Sequence, residues 1–186
     1  PEARNGTGSE TDGKIKEPLL RLTQLWRAYD AQSASGRYPF AASFIFLGQG
    51  PLQSPSVFNF FSPFYSPPGE FRNAGLVAPE LEIATEYQNT YVTNYWFFQT
   101  FALNHTATDL EDDDIYIDLS EEMSIASDAD ALIDTVADKL LAGQMSDTLR
   151  EEISGIMALI PETDTALRAA EAVYLVVSSP EYAYQR

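Results

Sequence analysis

Apolar positions in this chain recur mostly at helical spacing. Leu22, Leu25, Trp26 and Tyr29 fall at i, i+3, i+4 and i+7, which predicts a helix from Glu17 to about Ala31 with Pro18 in its first turn. A longer pattern predicts a helix from Pro79 to about Asn104. Its stripe is Ala84, Tyr87, Tyr91, Tyr95, Phe98 and Ala102, widened by Trp96, Phe97 and Phe101. A helix this aromatic around its girth is expected to be central and buried. Glu80 and Glu82 suit the positive end of its dipole. Three shorter patterns close the chain. Ser127 is the expected cap of the first, with Leu132, Ile133, Val136, Ala137, Leu140 and Leu141 inward and Gly143 as the stop. Ser146 caps the second, with Leu149, Ile153, Ile156, Met157 and Ile160 inward. Thr163 caps the third, with Leu167, Ala170, Tyr174 and Val177 inward, and Ser179-Pro180-Glu181 starts a short last helix. The fold class read from these patterns is mainly α, with the last three helices short and antiparallel because their loops are short.

One stretch breaks the periodicity. Leu47 to Glu80 is too apolar for a linker and too rich in Pro and Gly for a regular helix or strand. A chain that places so many aromatics in an irregular segment is expected to bury it against something, as an ordered wrap over residues 48–79. Of 23 aromatics, 17 lie between Tyr38 and Phe101, so the expected core is the long helix packed on this wrap. Ser54 to Phe61 reads as a short helix, Ser62 to Gly75 as extended and turn-like, since Pro63, Pro67 and Pro68 restrict their predecessors. Phe40 to Leu47 reads as helix or strand.

The 186 residues suffice for one domain with a sizeable core, or for the C-terminal lobe of a larger protein. Along it we expect a loop over 1–14, an aromatic helical core over 15–104, an acidic loop over 105–126 with Ile115-Tyr116-Ile117 as a short strand or extended piece, and a helical group over 127–186. The net charge of −17 is unevenly spread. Residues 1–78 carry 7 Lys/Arg and 6 Asp/Glu, whereas residues 79–186 carry 4 and 22. Such a surface repels phosphate backbones and anionic lipid, which argues against nucleic acid as a partner. No apolar run is long enough for a transmembrane helix. With no cysteine, thiolate nucleophiles and zinc–sulfur sites are excluded in this sequence.

Several blocks resemble a known family. Ser54 to Pro63 (SPSVFNFFSP), Pro67-Pro68-Gly69-Glu70 and Gly75 to Glu80 (GLVAPE) are similar to the C-terminal part of the bacterial domain-of-unknown-function family 1800. Asp12 to Arg21 (DGKIKEPLLR) resembles its "GK-hydrophobic-REP" segment, and Val177 to Arg186 (VSSPEYAYQR) its "SPE-aromatic-xxQR" ending. The resemblance implies the C-terminal portion of a larger, mostly helical, exported bacterial protein, with the N-terminal remainder of that protein as a partner. It offers no catalytic residues to carry over.

Candidate chemistry is sparse. The single histidine, His105, has no Gly-x-Ser-x-Gly elbow to accompany it and reads as a helix-end residue. Asn104-His105-Thr106 and Asn5-Gly6-Thr7 fit the short glycosylation pattern, which carries little weight. Between Asp109 and Asp138 stand 12 Asp/Glu and no Lys or Arg. Asp109, Glu111, Asp113 and Asp118 are the candidate ligands for calcium, a hard cation that takes several oxygens. Against that, Asp114 stands where an EF-hand loop has Gly and Ser120 where it has Glu, and a run of like charge is commonly a solvated loop. Glu82 and Glu86, four apart, with Asn59, are candidates for a polar pocket doing acid–base work. The opposing reading has these groups bonded to backbone amides of the irregular segment. The expected function is a non-catalytic structural or interaction module of an exported protein. The alternatives are the C-terminal lobe of an enzyme whose catalytic residues lie mainly upstream, and a calcium-dependent surface protein.

Overall fold

The computed structural model describes residues 14–39 and 43–185. In chain order the elements are β1 (Lys14–Ile15), α1 (Pro18–Ala28), α2 (Ser43–Leu47), α3 (Glu70–Asn73), a 3₁₀ turn (Pro79–Glu82), α4 (Glu86–Phe97), a π-helical turn (Phe98–Ala102), α5 (Ser120–Ile125), α6 (Ala129–Leu141), α7 (Asp147–Met157), α8 (Thr165–Ser178), α9 (Pro180–Ala183) and β2 (Tyr184–Gln185). The class is mainly α, as the periodicity predicts. No helix among the described residues is long and apolar enough to cross a membrane.

The chain divides into two compact units, neither of them continuous in sequence. One comprises residues 1–21, 40–92 and 183–186; the other comprises 22–39 and 93–182.

In the second unit α8 is the hub, with α5, α6, α7 and the π-helical turn packed on it. Its inward face is Ala169, Ala170, Ala172, Val173, Val176 and Val177. This face is rotated from the predicted one. Leu167, expected inward, is 38% exposed, whereas Ala170 and Val177 are inward as expected. The inward face of α6 is Leu132, Ile133, Val136, Ala137 and Leu140, as predicted, while Leu141, also expected inward, is half-buried. Ser146 caps α7 through Leu149 N–H, also as predicted. The caps of α6 and α8 each fall one residue later than expected: Asp128 accepts from Asp130 N and Ala131 N, and Asp164 from Leu167 N. Carboxylates and hydroxyls cap about equally well, so adjacent Ser-Asp and Thr-Asp pairs are ambiguous in sequence. Ile117, fully buried, lies extended; its N–H donates to Leu103 O and its carbonyl accepts from His105 N. Helix α5, which the acidic reading of 105–126 did not anticipate, follows directly.

The long helix predicted over 79–104 is divided. Pro79–Glu82 is a 3₁₀ turn, Ile83 to Thr85 lie outside any helix, α4 starts at Glu86, and the register widens to π at Phe98. Its buried positions are Gln88, Val92, Trp96, Gln99 and Thr100. The expected aromatic stripe is partly in solvent, with Tyr87, Phe97 and Phe98 each more than half exposed.

In the first unit β1 pairs antiparallel with β2, Lys14 opposite Gln185 and Ile15 opposite Tyr184. Glu80, 7% exposed, pairs with Lys14 at 3.1 Å. Fully buried Gln49 accepts from Leu19 N–H at 3.2 Å and donates to Glu17 at 2.7 Å. Gln88 donates to Phe46 O, while Tyr91 and Phe46 pack with ring centroids 5.9 Å apart. Gly48 meets the Gln88 side chain where a Cβ would come within 3.1 Å, and its φ of +66° already favours glycine. Among the blocks quoted above, Lys14 thus holds Glu80 of the APE segment, while Glu17 and Leu19 hold Gln49.

Candidate functional site

The predicted site residues are dispersed. Asn59 and Glu86 are exposed, and Glu82 is half-buried. Glu82 and Glu86 do not share a helix, so their i, i+4 relation is lost at the break over Ile83 to Thr85. The Glu82 carboxylate accepts from Ser62 N–H at 2.5 Å and faces Ser62 Oγ at 3.5 Å. That is the bond to irregular backbone which the opposing reading anticipates. Asn59 sits at φ 71°, a left-handed conformation that Asn tolerates.

The acidic residues find separate partners. Asp113 pairs with Arg37 at 2.9 Å. Asp114 accepts from Glu111 N–H at 2.9 Å. Asp118 accepts from Ser120 N–H at 2.8 Å, and bonds to Ser120 hold its carboxyl below the usual value, aided by His105 and Lys139 against a smaller effect of burial. Asp109 and Glu111 are exposed. Among the described residues no three His, Cys, Asp or Glu side chains converge on one point where an ion could sit. The calcium reading gains no support from this arrangement.

His105 is placed by backbone. Its N–H donates to Ile117 O at 2.8 Å, and its Nδ1 accepts from Leu119 N–H at 3.0 Å with Asp118 Oδ1 3.4 Å away. An Nδ1 lone pair so engaged puts the proton of the neutral ring on Nε2. Asn104, 6% exposed, donates to Thr100 O and Phe101 O and accepts from Thr106 N and Oγ1, so its amide is spent inside the fold.

Two buried groups escaped the sequence reading. Arg168, 3% exposed, donates through Nε to Ala126 O at 2.5 Å and through one terminal nitrogen to Met157 O and Ile160 O, both at 2.9 Å. These carbonyls close α5 and α7, where the dipoles favour a cation. Glu122, fully buried, pairs with Lys139 at 2.6 Å. Lys139 also pairs with Glu121 at 2.7 Å and lies 5.0 Å from the Tyr29 ring centre. Burial pushes the Lys139 ammonium down, but hydrogen bonds to Glu121 and Glu122 outweigh it and leave its pKa raised. Burial, with Glu122 next, pushes the Tyr29 hydroxyl well up. An i, i+4 stripe with a charge inside it was the available signal in both cases, and it reads equally as a surface position.

The second unit also carries a half-open cleft of about 150 Å³, walled by Phe101, Asn104, Leu119, Met123, Leu167 and Ala170. Its walls mix polar and apolar surface, Thr106 among them, and the side chains of Asn104 and Thr106 are bonded to each other.

The segment that the sequence marks as unusual departs most from expectation. Its aromatics are not buried. Leu52 is 105% exposed, Val57 94%, Phe64 84% and Phe58 64%, and Phe71, Leu76 and Val77 are exposed as well. Nor do residues 54–61 form a helix. Ser56 and Asn59 bridge across a tight turn, and Ser56 Oγ accepts from Phe58 N–H at 3.1 Å, which satisfies locally what a helix would have paired. Helix α3 interrupts the predicted extended run at Glu70–Asn73.

No curated protein and no solved structure matches the chain. One family model, described as "Protein of unknown function (DUF1800)", matches residues 1–184, and the chain belongs to that family.

Proposed function

We propose that this chain is a structural and interaction module whose working surface is the exposed apolar segment between Leu52 and Val77. The observation that carries the reading is the near-complete exposure of Leu52, Val57 and Phe64 on hydrogen-bonded turns. Exposed apolar patches on a folded protein mark sites of association. The reading is supported by how the polar side chains are used. Glu82, Gln49, Gln88, Gln99 and Arg168 each bond to backbone in another part of the fold, and Glu80 pairs with the Lys14 side chain.

Replacing Leu52, Phe58 and Phe64 together by Ser tests it. The triple variant should bind much less of an apolar fluorescent dye and self-associate less, with its melting temperature held. Dye binding equal to that of the parent chain, or a melting temperature lowered as by a core substitution, would make the segment part of the core and sink the reading.

A further inference from the structure

Helix α8 has a second face besides its buried one. Leu167, Glu171 and Tyr174 follow at i, i+4 and i+7, so their side chains are neighbours along the helix surface. Leu167 is a wall of the half-open cleft. Tyr174 meets Phe97 and Phe101 edge-on, each with ring centroids 5.8 Å away, and those two rings stack on each other at 4.7 Å. Phe101 is also a wall of the cleft, and Phe97 is 52% exposed. By spacing, Glu171 therefore stands between the cleft and an aromatic cluster. It is half-buried, and burial pushes its carboxyl up. Arg168, the one cation of α8, is spent on three carbonyls. Among the described residues no Lys, Arg or His pairs with Glu171.

We propose that this face binds a small organic ammonium ion, its apolar stem in the cleft against Phe101, Leu119, Met123 and Leu167 and its charged head on the Glu171 carboxylate beside the aromatic cluster. The site belongs to the unit that does not contain the Leu52–Val77 segment, and it does not rest on the interaction reading above. Four features select the class. A carboxylate partly withdrawn from water gains most from a cation, because their attraction is less screened there. Aromatic rings attract cations to their faces. The cleft, about 150 Å³, has the volume of an engineered cavity that holds benzene, so it takes a short alkyl or aryl stem. The unit carries 20 Asp/Glu against 5 Lys/Arg, which draws cations and repels anions. A bare metal ion is poorly served. It needs several converging oxygens, and Glu171 offers one carboxylate in a chain where, among the described residues, no three ligating side chains converge.

A nuclear magnetic resonance titration of the 186-residue chain with butylammonium chloride tests this, beside butyl alcohol and ammonium chloride at equal concentration and ionic strength. Butylammonium should shift the amide signals of Phe101, Leu167 and Tyr174 saturably, and each control should bind about tenfold more weakly or less. Glu171→Gln should weaken butylammonium about tenfold with the melting temperature held. The parent chain gives a second readout that needs no variant. The titration midpoint of the Glu171 carboxyl carbon signal should fall when butylammonium is added, because a bound cation favours the ionised form. Butyl alcohol binding as tightly would reduce the site to an apolar cleft, and ammonium binding as tightly would reduce it to an acidic surface; each result overturns the proposal. An affinity unchanged by Glu171→Gln, an unmoved midpoint, or no saturable shift overturns it as well.

Discussion

The two units place some of their aromatic residues in opposite ways. In the unit of residues 22–39 and 93–182, Tyr29, Trp96 and Tyr182 are among the most deeply buried side chains, and Trp96 meets Tyr182 edge-on at 6.5 Å. In the unit that holds residues 40–92, Phe58 and Phe64 face solvent although they lie on hydrogen-bonded turns. Aromatic content therefore does not locate a core. What separates the units is the backbone beneath the rings. A helix sends every third or fourth side chain to one side, so apolar residues collect there. A tight turn sends its central side chains outward, and no local packing can recover them.

The contrast predicts a ranking of substitutions. The largest loss should come from Lys139→Met, which strands fully buried Glu122 without its counter-charge. Breaking such a pair costs about 3–5 kcal/mol, whereas the double change with Glu122→Gln should recover most of it. Urea unfolding of the four-member cycle measures both, and additive losses would show that the pair is not coupled. The pair also has a pH signature. The Lys139 pKa is raised in the folded chain above the ordinary lysine value of 10.5, so the stabilisation is fully present below pH 10.5 and is lost as pH rises through the folded value. Lys139→Met should flatten that alkaline limb.

Arg168→Met comes next, at about 3 kcal/mol, since buried acceptors left without a donor cost about 1–3 kcal/mol each and some of the three carbonyls will find other partners. A loss under about 1 kcal/mol in the same urea measurement would mean that the helix ends are held by packing alone. Smallest of all should be Phe64→Ser in residues 1–186, within about 0.5 kcal/mol, as for other exposed sites. A loss on the scale of a core aromatic, about 3–5 kcal/mol, would erase the distinction between the units.

How far the sequence reaches differs along the chain. Helices α6 and α7 were legible because their apolar faces are built from long aliphatic side chains between clear start and stop signals. The position of the core was also legible at Leu22, Leu25, Trp26 and Tyr29. The division of the 79–104 helix was not, since Glu82 is drawn to Ser62 by a contact twenty residues away. The buried faces of α4 and α8 were misplaced where Gln88, Gln99 and Arg168 turned inward, because a polar side chain is placed by partners that periodicity does not see. Trp26 Nε1 donates to Gln99 at 2.5 Å, and Gln99 donates to Ile115 O at 3.2 Å; each partner lies on another element.

By itself the sequence determined the mainly helical class, most of the helix positions in the last third, the family, and the singularity of residues 47–80. Those follow from local periodicity, caps and motif spacing, which the chain carries whatever it packs against. Only the tertiary structure decided which charges lie inside and which aromatics stay out. Burial is a property of neighbours brought together from distant segments, and no local pattern in Leu52, Phe58 and Phe64 says that they stay exposed.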